Sequence, residues 1–322
     1  MGHRTDPIGS RAPTPGVGAS AGRVAGSTRP RLGVVKFASC DGCQLTLLDV
    51  EDHLLEVAER FDIVEFAEAT SRRSSGPFDV LLVEGSVTTP EQAVEIVRLR
   101  AVSRVLVTIG ACATAGGIQA LRTAEEHEAF RAAVYPAPEY VDSLATASPI
   151  ASYVAVDAEL RGCPIDAGQL IETLTALTTG RRPQLPDQAV CIECKRSGAA
   201  CVVVTRGLPC LGPVTHAGCG AICPRFGRGC YGCFGPREGA NAAALAAVFV
   251  AGGPDMPPRD PAEVGRLFAG FTGAAEPFRA VTTALHGRPL LPLLPSRGRA
   301  PEFAAETPPV WAVEPEGSDA GS

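Results

Sequence analysis

The stretch LGVVKFASCDGCQLTLLD, residues 32–49, decides the fold of this chain. Its first eight residues are a short apolar run of the kind that forms a buried β-strand. Asp41 follows, and aspartate is a residue type that caps the N-terminus of a helix. Apolar residues then recur at heptad spacing as far as residue 61, which predicts one amphipathic helix. Two thiols, Cys40 and Cys43, therefore lie in the turn between a strand and a helix.

Strands and helices continue to alternate along the chain. The further predicted strands are residues 61–68, 78–86, 104–111 and 153–156. The second and third of these are continuous apolar runs, which are typical of a parallel sheet with both faces covered. The alternation predicts a doubly wound α/β domain over residues 31–182, with a flavodoxin-like parallel sheet.

Two helices of this domain have clear end signals. Thr89, Pro90 and Gln92 supply an N-cap, a first-turn proline and a capping-box partner for a helix that runs to about residue 102. A later helix is predicted to begin after the N-cap Asp166 and to end at Gly180.

Composition and charge exclude several classes of function. The 322 residues carry 29 Lys and Arg against 35 Asp and Glu, and no basic run is dense enough to follow a line of phosphates. We therefore expect no nucleic-acid partner. The longest apolar run, residues 240–252, is shorter than the roughly 20 residues of a membrane-spanning helix, so we expect no membrane span.

Residues 1–30 are rich in Gly, Pro, Ser and Thr and have few large apolar side chains. Such a segment cannot bury enough surface to offset its ordering entropy, so we expect a disordered N-terminal extension. It shows neither an apolar signal core nor a twin-arginine segment, and we expect a cytoplasmic location. In that reducing compartment, the twelve cysteines favour metal binding or redox chemistry over disulfides.

Four cysteines follow predicted strands at their carboxyl ends. Cys40 and Cys43 come after the first strand, Cys112 after the fourth and Cys163 after the fifth. Because ligands of parallel sheets bind beyond the carboxyl ends of the strands, we expect these thiols to converge at one edge. There they suit a tetrahedral metal or a 4Fe-4S cluster. The alternative is that Cys112 and Cys163 are simply small buried residues.

Eight cysteines occur within residues 191–233, among many glycines. No apolar periodicity is present there, so we expect bound metal rather than an apolar core to stabilise this small, irregular domain, residues 183–252. Two zinc sites would use the eight thiols equally well. Iron-sulfur clusters are favoured by the Cys-Pro pairs at Cys163 and Cys223, which resemble ferredoxin-type sequences, and by glycines that let backbone N–H groups approach sulfur.

Residues 253–322 are predicted to contain short helices and an extended, proline-rich tail. One helix begins at about Pro261, and a second covers residues 275–285. Prolines beyond residue 288 are too frequent for a helix, but leucines and a tryptophan lie among them. Exposed apolar residues in such tails contact partners, and we expect this tail to wrap a subunit of a complex.

Five motifs are similar to those of a known family. They are SCDGCQLTLLD (39–49), EGSV (84–87), TIGACATAGG (108–117), RGCPID (161–166) and CLGPVTHAGCGAICPRFGRGCYGCFGP (210–236). Over about residues 32–252, the chain resembles the small, electron-transferring subunit of nickel-iron hydrogenases. The resemblance is greatest to the cytoplasmic branch that contains the sulfhydrogenase delta subunits.

The resemblance implies three 4Fe-4S clusters, each held by four cysteines. The proximal cluster would bind Cys40, Cys43, Cys112 and Cys163, the distal cluster Cys191, Cys194, Cys201 and Cys210, and the medial cluster Cys219, Cys223, Cys230 and Cys233. Cys191 stands where many family members have histidine. Cys223 stands where many have proline and a cluster of only three irons, so a complete medial cluster is expected here.

The resemblance also implies a function and partners. Hydrogen would be split on a separate large subunit that carries nickel and iron. This chain would pass the electrons to flavin and iron-sulfur subunits of the diaphorase type, which reduce a nicotinamide. No residue of this chain is expected to act as a general acid or base. The alternative is a relay like that of respiratory complex I, or a stand-alone polyferredoxin, without hydrogenase activity; a zinc scaffold is a weaker alternative.

Four other polar residues stand out. Glu84 ends the third strand and is interpreted either as a plain strand-end carboxylate or as a residue that faces the large subunit. His216 lies three residues before Cys219 but is not expected to be a ligand, because eight cysteines satisfy two clusters. His53 and His127 fall on polar helix faces and are expected to be exposed.

Overall fold

The computed structural model of the chain describes residues 29–50, 52–121, 127–254 and 256–286. The extension predicted at residues 1–30 and the proline-rich tail lie almost entirely outside these residues. The boundaries that the sequence indicates between domains stay a prediction.

Five parallel strands in the described residues form a sheet with the spatial order β2-β1-β3-β4-β5. They are β1 (Arg31–Lys36), β2 (Asp62–Phe66), β3 (Phe78–Glu84), β4 (Ser103–Ile109) and β5 (Ala158–Leu160). The order reverses direction between β1 and β3, as it does in flavodoxin-like folds. The predicted doubly wound parallel sheet is confirmed.

Helices cover both faces of the sheet, because successive residues of a strand point to opposite sides. In β3, Val80 and Leu82 belong to one buried apolar cluster, whereas Leu81 and Val83 belong to another. The helices of this part are α1 (Gly42–Leu48), α2 (Asp52–Arg60), α3 (Pro90–Ala101), α4 (Gly110–Ala115), α5 (His127–Val134) and α6 (Ala167–Thr179). Helices α1, α2 and α6 contribute to the first cluster, and α3 and α4 contribute to the second.

The two helices with clear end signals have the predicted caps. The Thr89 hydroxyl accepts a hydrogen bond from Gln92 N (3.3 Å), and Gln92 Oε1 accepts one from Thr89 N (3.2 Å). At the start of α6, Asp166 Oδ1 accepts a hydrogen bond from Gln169 N (2.9 Å). Gly180 ends α6 in the left-handed conformation, with a φ of 70°.

The region after β1 differs from its prediction in two ways. The expected single helix is two helices, because the chain turns at Asp49, whose backbone N–H closes the last turn of α1. Leu47 and Phe61 still lie in one apolar cluster, so the heptad spacing survives the break. Asp41 precedes α1 but does not cap it with its side chain. It has a left-handed φ of 67°, and its carboxylate pairs with Lys36 Nζ instead (2.6 Å).

The prediction of a strand at residues 153–156 is wrong. The last strand is β5, which pairs with β4. Pairing begins there because Asp157 accepts a hydrogen bond from Leu106 N through Oδ2 (2.8 Å) and donates its own N–H to Leu106 O (3.0 Å). The two valines of residues 153–156 lie in a loop and pack against the second apolar cluster. This burial explains why the segment has the apolar residues of a strand.

The expectation that the cysteine-rich segment lacks an apolar core is also wrong. Val202 and Val214 are buried in one cluster with Phe249, Phe268 and Phe278. The helices of this part are α7 (Val190–Arg196), α8 (Val202–Arg206), α9 (Ile222–Arg225), α10 (Ala242–Ala251), α11 (Pro261–Phe268) and α12 (Phe278–His286). The three phenylalanines come from α10, α11 and α12, which follow the eight cysteines. Residues 191–233 therefore show no apolar periodicity that would reveal this core.

The two predicted helices near the end of the described chain are present. Helix α11 begins at Pro261, with Asp260 Oδ1 accepting a hydrogen bond from Ala262 N (2.9 Å). Helix α12 begins at Phe278, slightly later than predicted. None of the helices in the described residues is long and apolar enough to cross a membrane.

Candidate metal centres

Three strand ends bring four cysteines to one edge of the sheet. Cys40 and Cys43 lie in the turn after β1 and in the first turn of α1, Cys112 lies in α4 directly after β4, and Cys163 follows β5. Cys43 is buried, Cys112 is half-buried, and Cys40 and Cys163 are exposed. In the folded chain these thiols lie beyond the carboxyl ends of strands, as the sequence indicated.

Charge on neighbouring thiols affects the pKa of three members of this set, Cys43, Cys112 and Cys163. The pKa of the Cys112 thiol is raised to about 11, mainly by burial, with smaller effects from negative charge on Cys163 and Cys40. Burial also raises the pKa of Cys43, with smaller effects from Glu84 and from two of the other thiols. Since metals bind thiolates rather than thiols, metal binding at this edge must release protons.

Glycines leave room beside these sulfur atoms. A Cβ on Gly110 would lie 2.4 Å from Cys43 Sγ, and a Cβ on Gly117 would lie 2.6 Å from Cys112 Sγ. Both glycines have a positive φ, of 87° and 71°, which side-chain-bearing residues rarely adopt. The edge is a cradle of thiols and bare backbone, and this donor set suits a thiolate-bound iron-sulfur cluster.

Glu84, at the end of β3, is bound within the chain rather than directed outward. Only 2% of its surface is exposed. Its Oε1 accepts a hydrogen bond from Cys43 N (3.1 Å), and its Oε2 accepts one from Gln44 Nε2 (2.9 Å). Burial raises the pKa of Glu84, and these two hydrogen bonds oppose the rise. The carboxylate therefore fixes the start of α1. Sequence reasoning missed Gln44. The sequence signal for it is its position, three residues before the buried Leu47, where a helix would place an apolar residue.

The first four cysteines of the cysteine-rich segment lie around the short helices α7 and α8. Cys191 and Cys194 are one turn apart on α7, Cys201 directly precedes α8, and Cys210 is buried in the loop that follows. Burial raises the pKa of Cys191 to about 11, and charge on Cys210, Cys194 and Cys201 adds to the rise. A Cβ on Gly212 would lie 3.4 Å from Cys191 Sγ. Cys191 thus has the other three members of the predicted distal set as neighbours.

The last four cysteines form a third group. The pKa of Cys233 is raised to about 12, mainly by burial, with a smaller effect from charge on Cys219 and Cys223. Burial also raises the pKa of Cys230, whose charged neighbours are Cys210, of the group around α7 and α8, and Cys233. Gly232 N lies within hydrogen-bond reach of Cys230 Sγ (3.5 Å). Cys233 thus has Cys219 and Cys223 of the predicted medial set as neighbours.

Two contacts join this third group to the others. Besides its own group, Cys233 has Cys163 of the sheet edge as a charged neighbour. On the other side, Cys230 N donates a hydrogen bond to Cys210 Sγ (3.2 Å). The third group therefore lies between the sheet edge and the group around α7 and α8.

Sequence reasoning does not single out Glu193 and Gln169, which connect the groups. Glu193 lies inside the first Cys-x-x-Cys pair of the segment. Its Oε1 accepts a hydrogen bond from Gly218 N (2.9 Å), and its Oε2 lies 4.0 Å from Cys219 Sγ. Gln169 of α6 donates a hydrogen bond from Nε2 to Gly218 O (3.0 Å). An acidic residue between two cysteines is the one sequence signal for Glu193, and Gln169 has none.

All twelve cysteines lie in the described residues, and none of them forms a disulfide. Within those residues, no group of three or more His, Cys, Asp or Glu side chains is drawn together as a site for a single metal ion. The assignment of ligands therefore depends on chain order, neighbouring thiols and donor chemistry, and it stays a prediction.

The three histidines that the sequence analysis considered differ in exposure. His53 is exposed, as expected. His216 Nδ1 lies 2.9 Å from Ala217 O, a bond that occupies one ring nitrogen, and burial lowers the pKa of this imidazole. The expectation for His127 is wrong, because only 5% of it is exposed. Residues that follow α5 fold back over the start of that helix and place Ser143 Oγ 3.2 Å from His127 Nε2.

Comparison with known proteins shows the family of the chain. A protein-family model described as NADH ubiquinone oxidoreductase, 20 Kd subunit, matches residues 40–177, which include all four sheet-edge cysteines. Sulfhydrogenase 2 subunit delta of Pyrococcus furiosus is 40% identical over 207 residues, an alignment that covers 64% of this chain and 86% of that relative. The chain belongs to the nickel-iron hydrogenase small-subunit family.

Two other hydrogenase subunits are similar to this member of the family. A vhu subunit of the F420-non-reducing hydrogenase of Methanocaldococcus jannaschii is 32% identical over 254 residues, covering 66% of this chain and 86% of that relative. The NAD-reducing hydrogenase HoxS subunit delta of Cupriavidus necator is 26% identical over 171 residues, covering 48% and 82%. Membership in this hydrogenase family implies iron-sulfur clusters and a large subunit as partner.

Proposed function

We propose that the chain is the electron-transfer subunit of a soluble, cytoplasmic nickel-iron hydrogenase and that its twelve cysteines hold three 4Fe-4S clusters. The observation that carries the proposal is the arrangement of the thiols in three neighbouring groups. The group of the last four cysteines lies in the middle. It contacts the sheet edge through Cys233 and Cys163, and the group around α7 and α8 through Cys230 and Cys210. A zinc scaffold has no need for such a linear order.

Each bound cluster would supply one-electron transfer. Backbone and side-chain groups of this chain influence which cluster would hold an added electron more stably. Hydrogen bonds to ligand sulfur favour the more negative, reduced state, and the N–H of Cys230 is placed to give one to Cys210 Sγ. A carboxylate at Glu84 adds negative charge beside Cys43 and disfavours an added electron at the sheet edge.

The acceptor in this proposal is a partner of the diaphorase type, with flavin and iron-sulfur centres, that reduces a nicotinamide. The support is the name of one relative, an NAD-reducing hydrogenase subunit. The name of another relative, a subunit of an F420-non-reducing hydrogenase, points away from coenzyme F420 as acceptor.

The test is anaerobic purification of the complex through a tag on this chain. We expect a nickel-containing chain to co-purify, and this chain, once separated from its partners, to contain about twelve iron and twelve sulfide, from three clusters of four irons each. The complex should reduce a viologen dye and a nicotinamide with H2. Zinc in place of iron, or about four iron per chain, would rule out the proposed cluster content.

A second candidate function is a relay without hydrogenase activity. It is favoured by the family model, whose description names a subunit of NADH ubiquinone oxidoreductase. Such a relay would show the same iron content but would purify without nickel and without H2-dependent dye reduction. The nickel measurement therefore separates the two functions.

A further inference from the structure

The surface around α7, α8 and α9 has a charge opposite to that of the whole chain. The full sequence has a net charge of −6, but residues 190–230 contain a single acidic residue, Glu193, and five basic ones. The basic residues are Lys195, Arg196, Arg206, Arg225 and Arg228. All five are exposed, and in the described part of the chain none of them forms an ion pair. Five positive charges are thus left facing solvent. We call this surface the basic face.

Exposed apolar side chains lie among these charges. Phe226 is 78% exposed, Val204 is 65% exposed and Ile222 is 54% exposed. The helices that carry them are joined, because Arg206 donates a hydrogen bond to Gly227 O (2.8 Å) and so links the end of α8 to the turn after α9. An exposed aromatic ring surrounded by arginines is a composition that protein interfaces favour over ordinary surface.

The basic face also contains an exposed thiol of the predicted distal set. Cys201 is exposed at the start of α8, whereas Cys210 of the same set is buried. A partner seated on the basic face would therefore lie directly against this group of cysteines.

We infer that the basic face is the docking surface for the flavin and iron-sulfur partner subunit of the proposed function, and that this partner presents a carboxylate-rich surface to it. The inference rests on that proposed function and adds the site and the charge of the contact. Complementary charge steers association and orients the partner, and the apolar side chains supply the contact that excludes water.

Charge reversal tests the inference in the intact complex. The complex carries a tag on its large subunit and this chain carries Arg225→Glu with Arg228→Glu. We expect the large subunit and the iron content to be unchanged, and the flavin-bearing subunit to bind roughly tenfold or more weakly at low salt, with a smaller deficit at high salt. Arg225→Gln with Arg228→Gln should weaken binding by less. Arg182→Glu is the control, because Arg182 is exposed, lies outside the basic face and, like the residues of that face, forms no ion pair with the residues that the structure describes.

The lysines offer a second, independent measurement. The chain has two lysines, Lys36 and Lys195, and Lys36 is paired with Asp41. A carbodiimide, which joins lysine to carboxylate without a spacer, should link Lys195 to an Asp or Glu of the flavin-bearing subunit. Lys195→Arg keeps the charge and should abolish this cross-link without weakening the complex.

The outcomes distinguish the inference from the function on which it rests. A wild-type preparation without a nickel chain overturns the proposed function. A nickel-containing complex without a flavin-bearing subunit overturns the proposed acceptor together with the inference. If the flavin-bearing subunit is present but binds equally after charge reversal, or is cross-linked elsewhere, only the inference is overturned. Binding of a nucleic acid rather than a protein to the basic face also overturns it.

Discussion

The two cysteine regions of this chain are built in opposite ways. At the sheet edge, Cys43, Cys112 and Cys163 are separated by 68 and 50 intervening residues, and strands that bury their own apolar core bring them together. In the cysteine-rich segment, eight cysteines fall within residues 191–233, on helices of only four to seven residues and the loops between them. The first region has an apolar core of its own. The second shares its core with helices that come later in the chain, and in the proposed function bound clusters stabilise it further.

Removal of iron should separate the two regions most clearly. After anaerobic treatment with an iron chelator, we expect the amides of residues 190–235 to lose nearly all protection from hydrogen exchange. Strands β3 and β4 should keep theirs, because Leu82 and Leu106 are fully buried without any metal. Exchange measured by mass spectrometry on peptides from both regions makes the comparison.

Reconstitution with iron and sulfide is the control for this experiment, and it should restore protection in residues 190–235. Equal loss of protection in the sheet and in the cysteine-rich segment would mean that the two regions unfold as one unit. The contrast between them would then be wrong.

The glycine cradle of the sheet edge can be broken by one methyl group. Gly110→Ala places a Cβ 2.4 Å from Cys43 Sγ, at a φ of 87°. The sulfur must move, so we expect the iron content to fall from about twelve to about eight per chain, through loss of one cluster of four irons. Iron analysis together with the electron paramagnetic resonance spectrum of the reduced protein gives the readout.

Gly180→Ala is the matched control for the cradle. Gly180 has a φ of 70°, but nothing lies within 4 Å of its missing Cβ. This variant should carry backbone strain of about 1 kcal/mol in the free energy of unfolding and keep all its iron. If both variants lose iron equally, strain alone explains the loss, and contact with the sulfur does not.

The range of each interaction along the chain decides what the sequence could predict. Thr89 and Asp166 cap their helices through partners three residues away, so local chemistry was sufficient. The parallel sheet followed from continuous apolar runs, which both covered faces require. Asp41 has the same residue type as Asp166, but a left-handed backbone turns its carboxylate toward Lys36 on the preceding strand. Residue type alone does not reveal that choice.

Packing between distant segments could not be predicted in the same way. The core of the cysteine-rich segment contains Phe249, Phe268 and Phe278, and no local pattern connects these residues to it. The candidate site shows the same division. The four sheet-edge cysteines could be placed because they follow strand ends, but the hydrogen bonds around the cysteines, such as those of Glu84 and Glu193, exist only in the folded chain.

Two carboxylates, Glu84 at the sheet edge and Glu193 in the cysteine-rich segment, test the same comparison through a smaller expected effect. Glu84→Ala leaves Cys43 N and Gln44 Nε2 without their acceptor in a buried site, and we expect a loss of about 2–3 kcal/mol in the free energy of unfolding. Glu193→Ala removes the acceptor of Gly218 N at a half-buried site that water can reach, so its cost should be about 1 kcal/mol. Urea unfolding measures both. Glu84→Gln retains one acceptor, so its free energy of unfolding should lie between those of wild type and Glu84→Ala. A larger loss of stability for Glu193→Ala than for Glu84→Ala would contradict the expected ranking.

The smallest expected effect lies where the two regions join. Glu172 of α6 accepts hydrogen bonds from Arg181 Nη2 (2.7 Å) and from Gln184 N (2.8 Å), and so holds the chain that leads into the cysteine-rich segment. The hydrogen bonds from Arg181 and Gln184 lower the pKa of Glu172 to about 2 from an ordinary value of 4.5. Its stabilising effect is therefore complete above pH 4.5 and is lost as the pH falls toward 2.

Glu172→Gln should remove this pH dependence at the junction. We expect the variant to have a slightly lower thermal midpoint than wild type at pH 6, and the two midpoints to converge as the pH falls from 4.5 toward 2. The difference is small because the ion pair is exposed and screened by solvent. Acid loss of iron affects both proteins alike, so the difference between their midpoints isolates this carboxylate. A difference that stays constant across the acid range would mean that Glu172 acts through packing or helix propensity, and that its charge does not hold the junction.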